Sequence, residues 1–196
     1  MSLVPSVDIG VWNAWIFVIA GLVLHVIPPT LATRFNTTLK KKFSEAPKDV
    51  YLDKNERRIN VISVAFLLLL FAYSVFLPLQ LATSWFYAGL VIFLLAEIAY
   101  LTTILPWVAT PVDKPVTTGI YRYSRHPVYL TLLLQLIGAG IAAASWVFLL
   151  LTVLFMILFN KSVAAEERGC LEKYGETYRQ YMNSTPRWIG LPRSGK

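Results

Sequence analysis

The residues best suited to chemistry lie in the segment Thr117–Tyr129, which reads Thr-Thr-Gly-Ile-Tyr-Arg-Tyr-Ser-Arg-His-Pro-Val-Tyr. Pro127 suits the first turn of a helix, because no backbone donor is lost there. Arg125 and His126 are then predicted at a helix N-terminus, whose free N–H groups favour a carboxylate or a phosphate. Gly119 would let the backbone approach a ligand closely. The segment therefore predicts a ligand-binding site.

Aromatic and acidic side chains extend this pattern. The aromatic faces suit a sulfonium or an ammonium, and their hydroxyls can form hydrogen bonds; the residues are Tyr121, Tyr123 and Tyr129. The paired carboxylates of Glu166 and Glu167 could hold a ligand's amine or ribose hydroxyls, or pair with the basic residues of the first segment. Taken singly, the tyrosines and arginines could be interfacial anchors, and the glutamates a solvated helix start. Those simpler interpretations do not explain the density of the cluster.

The elements that must position these residues are membrane helices. Of the 196 residues, 56% are hydrophobic and only 15% are charged, which is more apolar side chain than a soluble core of this size needs. The apolar residues fall in uncharged blocks close to the roughly 20 residues that cross a bilayer. The sequence predicts an all-α, polytopic integral membrane protein of one domain, 1–196, with about five spans, at 11–27, 59–79, 85–105, 128–144 and 146–162.

Basic residues predict the orientation of these spans. The 18 Lys and Arg residues fall in three segments, eight in 32–58, three in 106–126 and seven in 161–196. With five spans, all three segments lie on one side, and the enrichment of basic loops in the cytoplasm predicts an outer N-terminus and a cytosolic C-terminus. The membrane would be the plasma or inner membrane of a prokaryote, or the endoplasmic reticulum of a eukaryote. Topology and anionic headgroups explain the net charge of +7, so nucleic acid is not an expected partner. No metal is expected either.

Shorter segments refine this arrangement. Spans four and five are joined only by 144–146, which predicts an antiparallel hairpin, and small residues at 138–144 permit close helix contact. The segment 34–58 is interpreted as a solvated connector, or else as a surface helix. Residues 164–182 are predicted to form a helix that docks on the inner mouth of the bundle and carries Tyr178 on an aromatic stripe. Cys170, the only cysteine, is interpreted as an inert thiol on this helix.

One carboxylate lies inside a predicted span. Glu97 falls in span three, where an ionisable side chain costs about 2.5–3.5 kcal/mol to insert, so it should face a cavity or a partner. Contact with a substrate and a structural hydrogen bond to a neighbouring helix both satisfy that requirement, and the sequence leaves them open. Gln135 and Asn160 share the ambiguity, with the structural interpretation favoured.

The two motifs together resemble one family. Gly-x-Tyr-Arg-Tyr-x-Arg-His-Pro-x-Tyr at 119–129, followed by Glu-Glu-x3-Leu-x2-Tyr-Gly-x2-Tyr-x2-Tyr-x4-Pro-Arg at 166–187, resembles the isoprenylcysteine carboxyl methyltransferase family. The related phospholipid N-methyltransferases share the first motif. The resemblance covers roughly the C-terminal 90 residues.

This resemblance implies a membrane enzyme that uses S-adenosylmethionine in a cytosolic pocket closed by the C-terminal helix, with a lipophilic or prenylated acceptor entering from the bilayer. Carried over by position, the residues that shape or complete the cofactor site are Gly119, Tyr121, Arg125, His126, Pro127, Tyr129, Glu166 and Glu167. Catalytic roles would fall to Arg125, His126 and Glu167. Glu97 and Tyr178 are candidates for contact with the acceptor.

The chemistry leaves the acceptor open. Methyl transfer from a sulfonium mainly requires alignment and exclusion of water. A carboxylate acceptor, such as that of an isoprenylcysteine or another isoprenoid, needs no general base, whereas a phospholipid amine or a thiol would need His126 or a glutamate to remove a proton. An NADPH-dependent sterol-type reductase, distantly similar in its C-terminal helices, and a non-catalytic scaffold or transporter are the alternatives from other classes.

Overall fold

The computed structural model describes residues 8–35, 37, 40 and 53–192. Six α-helices lie in these residues: α1 Trp15–Phe35, α2 Lys54–Ser74, α3 Ser84–Ala109, α4 Pro127–Ala142, α5 Trp146–Tyr174 and α6 Glu176–Ser184. A 3-10 turn, Gly119–Arg122, precedes α4. Most of the connector predicted at 34–58 lies outside the described residues.

Three helices, α2, α3 and α5, are long and apolar enough to cross a membrane, and α1 and α4 contain shorter apolar stretches. Large apolar side chains cover the outer surface of these helices, for example Leu95, Ile98 and Leu105 on α3. Such a surface requires a hydrocarbon solvent. The predicted all-α, polytopic membrane fold is therefore confirmed.

Several helices begin or end at other residues than the predicted spans. Helix α1 continues through Pro28 and Pro29, which the sequence analysis placed after the first span. Proline at 29 cannot donate to the carbonyl of His25, and the hydroxyl of Tyr100 donates to that carbonyl instead, at 3.3 Å. Helix α2 ends at Ser74, five residues before the predicted end, because residues 75–79 form turns that pack against the start of α1.

The C-terminal helix also differs from its prediction. Residues 164–182 do not form one separate helix, because α5 runs unbroken from the fifth span to Tyr174. The break comes at Gly175, whose positive φ of 56° is costly for other residues. At 29 residues α5 is about 43 Å long, longer than the roughly 30 Å hydrocarbon core, so its polar C-terminal turns extend beyond that core.

Small residues bring α3 and α4 together as the closest pair of helices. A Cβ atom on Gly89 would collide with the backbone of Gly138 and Ala142, so the two helices touch backbone to backbone. On the other side of α4, the predicted tight hairpin is present: α4 ends at Ala142, and Ser145 caps the start of α5 through the amide of Phe148, at 3.2 Å. Helix α2 packs on α5, and α1 contacts α2, α3 and α4. The two predicted motifs lie at one end of this bundle, where α4 begins.

Candidate functional site

The two predicted motifs meet at one end of the bundle, where α4 begins and α5 extends beyond the core. The hydroxyl of Tyr129 donates to Glu166 Oε2 at 2.7 Å, and Arg125 Nε donates to Glu167 Oε1 at 2.8 Å. These contacts join residues about forty positions apart in the chain. The end of α3 and Pro29 of α1 lie at the same end.

Glu167 is the centre of a buried ionic cluster. The residue is 2% exposed, and its carboxylate receives hydrogen bonds from Arg125, from His126 Nε2 at 3.2 Å and from Arg187 Nη2 at 2.5 Å. Burial alone would raise the pKa of this carboxyl, but the three donors outweigh burial and lower the pKa to about 2. Glu167 is therefore held as a carboxylate whose oxygens are used by the protein itself.

Arg125 ties the C-terminal segment to this cluster. Its Nη1 donates to the carbonyls of Met182 at 2.9 Å and Thr185 at 2.6 Å, which have no helical N–H partner at the end of α6. Its backbone amide donates to the carbonyl of Pro186 at 3.0 Å. Further along, the hydroxyl of Tyr181 donates to the carbonyl of Tyr121 at 2.7 Å. Helix α6 and the following residues are thus fixed over the start of α4.

A cavity of about 510 Å³ lies beneath this cover. Helices α1, α3, α4, α5 and α6 and the segment before α4 all contribute to its wall. Its polar lining includes His25, Arg125, His126, Glu166 and Lys173, and its aromatic lining includes Tyr100, Trp107, Tyr121, Tyr129, Tyr174, Tyr178 and Tyr181. The size is typical of a small-molecule site, and the combination of aromatic faces with a carboxylate suits a cationic ligand.

Glu166 is the carboxylate that faces this cavity. Its side chain is 38% exposed, against 3% for the side chain of Glu167, which is not among the lining residues in the described part of the chain. His126 lies between the two, with Nε2 on Glu167 and Nδ1 3.9 Å from Glu166 Oε2, and its ring stacks on that of Tyr129. One glutamate is therefore available to a ligand, and the other holds the residues around it.

Other predicted site residues have distinct positions. Pro127 is the first residue of α4 and lines the cavity, as does Tyr178, which is 4% exposed. Gly119 does not contact the cavity; with φ at 61°, its bare Cα packs on Pro106, and a Cβ there would lie 2.7 Å from Pro106 Cγ. Glu97 is buried within the bundle, on α3, and does not line this cavity either.

Cys170 lines the cavity, which the sequence analysis did not anticipate. Burial, followed by the negative charge of Glu166, raises the pKa of its thiol to about 12. Cys170 therefore stays a neutral thiol at physiological pH, which agrees with its interpretation as unreactive.

Some residues around the site were not among the predicted site residues. His25 and Tyr100 line the cavity as a stacked pair, with ring centroids 3.7 Å apart, and Arg187 binds Glu167. His25 had a detectable signal, because it is an ionisable residue inside the first predicted span, the same criterion that singled out Glu97. Arg187 lies in the second motif, but its partner is set only by the fold.

Fold and site together define a polytopic helical membrane protein with an aromatic and acidic ligand cavity at one end. Residues 82–177, just under half of the chain, match the family described as phospholipid methyltransferase. The chain is also 31% identical over 77 residues to the protein-S-isoprenylcysteine O-methyltransferase of Schizosaccharomyces pombe. That match covers 39% of this chain and spans about a third, 33%, of the relative's length. The resemblance drawn from the two motifs is confirmed, and both matches support the predicted methyltransferase class.

Proposed function

We propose that this protein transfers a methyl group from S-adenosylmethionine to a lipophilic acceptor at the cytosolic face of a membrane. The observation that carries the proposal is the cavity itself, in which the 121–129 segment and Glu166 enclose one space with aromatic walls. Aromatic faces attract a sulfonium, and Glu166 is placed to accept hydrogen bonds from ribose hydroxyls or an amine. When bound, this cofactor would supply an activated methyl group.

The residues around the cavity would have two kinds of role. His126, Glu166 and Tyr129 line it and would contact the ligands. Arg125 and Glu167 would act as positioning residues, because their polar atoms already bind each other, His126, Arg187 and the end of α6. Gly119 would set the turn that brings Tyr121 to the cavity wall. The closure provided by α6 would exclude water, so that acceptor and donor are aligned in a dry site.

An isoprenylcysteine-like or other isoprenoid carboxylate is the acceptor that we favour. The name of the S. pombe relative states that it acts on isoprenylcysteine. A carboxylate is also already nucleophilic at neutral pH, so the enzyme would need only to orient it. The family description favours a second candidate, a phospholipid amine. That acceptor must lose a proton, and Glu166 or His126 would have to accept it.

The orientation inferred from the basic residues belongs to the same proposal. The cavity end of the bundle would face the cytosol, with the N-terminus outside. A reporter protein that is active only in the cytosol, fused in turn to each end of the chain, tests this orientation. Activity at the C-terminus alone is expected, and activity at the N-terminus alone would contradict it.

The activity is tested with purified protein in lipid nanodiscs and S-adenosylmethionine labelled in its methyl group. The acceptors are S-farnesyl-cysteine, extracted phospholipids and a small thiol, and NADPH binding is measured in parallel. We expect label in S-farnesyl-cysteine and loss of at least tenfold in transfer for Glu166→Gln, but not for Glu172→Gln, a matched control at an exposed glutamate on the same helix. Label in phospholipid alone would support the second candidate. Binding of NADPH without binding of S-adenosylmethionine would refute the proposal in favour of a reductase.

A further inference from the structure

A second, smaller cavity of about 180 Å³ lies next to the first, inside the bundle. His25 lines both cavities and so marks where they adjoin. Helix α4 also contributes to both, with Tyr129 in the first and Gln135 in the second. These two residues are six positions apart, which corresponds to about 9 Å along the helix axis. The second cavity is otherwise apolar, lined by side chains such as Phe17, Leu67, Phe71, Phe93, Leu132 and Leu136.

Polar atoms without partners lie beside this apolar space. Glu97 and Gln135 are each 5% exposed. In the part of the chain that the structure describes, the side chains of Glu97 and Gln135 interact with each other, but no well-formed hydrogen bond reaches either carboxyl oxygen of Glu97, Nε2 of Gln135 or Nε2 of His25. Leaving such groups unpaired inside a protein is destabilising. These polar side chains therefore destabilise the protein unless a bound molecule supplies the missing hydrogen bonds.

The side chains of Glu97, Gln135 and His25 all lie close to Gly21. A Cβ on Gly21 would lie 3.2 Å from Glu97 Oε1 and 3.5 Å from Gln135 Oε1, so both side chains converge on the bare backbone of Gly21. His25 is oriented by the same residue, because its Nδ1 lies 2.9 Å from the carbonyl of Gly21, and by stacking on Tyr100. When Nδ1 donates to that carbonyl, Nε2 of a neutral ring is an acceptor.

We infer that Glu97, Gln135 and His25 bind a hydroxyl or amide group in the apolar part of the acceptor, at the level of Gln135, about 9 Å along α4 from Tyr129 of the first cavity. The inference rests on the proposed function and narrows its substrate class. The Gln135 amide supplies donors, while Glu97 and His25 supply acceptors, so the cluster matches a group that both donates and accepts. A pure hydrocarbon chain in this cavity would leave all these atoms unpaired, and a site built for a polar group discriminates against its absence.

The test compares S-farnesyl-cysteine with derivatives that carry one hydroxyl at successive positions along the farnesyl chain. Binding of each compound to the full-length protein in nanodiscs is measured by equilibrium dialysis, so the readout does not depend on turnover. We expect one hydroxyl position to tighten binding by about tenfold or more. Glu97→Leu and Gln135→Leu should each abolish that preference while S-adenosylmethionine binds as in the wild type. Thr102→Val is the matched control, because Thr102 is an exposed polar residue of the same helix whose hydroxyl bonds its own backbone.

The outcomes separate this inference from the function on which it rests. Equal binding of all derivatives by the wild type, no binding of any of them, or a preference that survives both leucine variants would overturn the inference while methyl transfer could still occur. Absence of S-adenosylmethionine binding and of transfer would instead refute the proposed function. If Glu97→Leu does not fold, Gly21→Ala serves as the second variant: its methyl group would lie against Glu97 Oε1, and we expect it to reduce the preference as well.

Discussion

Replacement of Glu167 by alanine is the most direct test of how the site is assembled. The substitution removes one carboxylate and leaves two arginines, with side-chain exposures of 9% for Arg125 and 33% for Arg187. Breaking a buried ion pair by removing one partner costs about 3–5 kcal/mol. Arg187 can turn towards water and Arg125 keeps its two carbonyl acceptors, so we expect the lower end, about 3 kcal/mol.

This loss of free energy should mainly weaken the docking of the C-terminal cover, which consists of α6 and the residues that follow it. Arg125 and Arg187 link residues 182–187 to the start of α4 through Glu167, so the free energy that keeps α6 docked should fall while the bundle stays folded. At 1.4 kcal/mol per tenfold change, 3 kcal/mol corresponds to amide exchange about 100-fold faster in residues 176–192. Hydrogen exchange measured by mass spectrometry in nanodiscs provides the assay, with a peptide from α3 as the internal reference and Glu172→Ala as the control variant.

Two results would refute this reasoning. Unchanged exchange in residues 176–192 together with normal cofactor binding would show that Glu167 neither positions the cover nor supports the site. Loss of cofactor binding with unchanged exchange would show that Glu167 contacts the cofactor itself, as the family resemblance implies, and is not a positioning residue.

Three further substitutions have defined outcomes. His126→Ala should abolish cofactor binding or turnover while circular dichroism stays unchanged, because the ring lies between both glutamates; full activity would remove His126 from the site. Gly119→Ala should lower stability by about 1–3 kcal/mol, since a positive φ and the contact with Pro106 both oppose a side chain; an unaltered thermal transition in detergent would contradict this account. Cys170→Ser should leave transfer within about twofold of wild type, because the buried thiol stays neutral; a large loss would show that the thiol takes part in binding.

Local patterns were enough to predict the membrane class and the positions of the helices. Uncharged blocks predict spans because a bilayer offers no partner to backbone groups, and this constraint acts on every stretch of sequence separately. The ends of helices were less predictable where a contact with another helix offsets a local energetic cost, such as a proline within the helix. Pro29 stays inside α1 because Tyr100 of another helix bonds the carbonyl that the proline leaves free.

The sequence indicated which residues form the candidate site, but it did not indicate the role of each. The density of Tyr, Arg, His and Glu near helix ends predicted a site at 119–129 and 166–167, because interfacial anchoring explains such residues singly but not their clustering. Nothing in an adjacent pair of glutamates tells which one faces a cavity. Successive positions on a helix point about 100° apart, so only the packing of α4, α5 and α6 decided that Glu167 is enclosed by cations while Glu166 faces the ligand space.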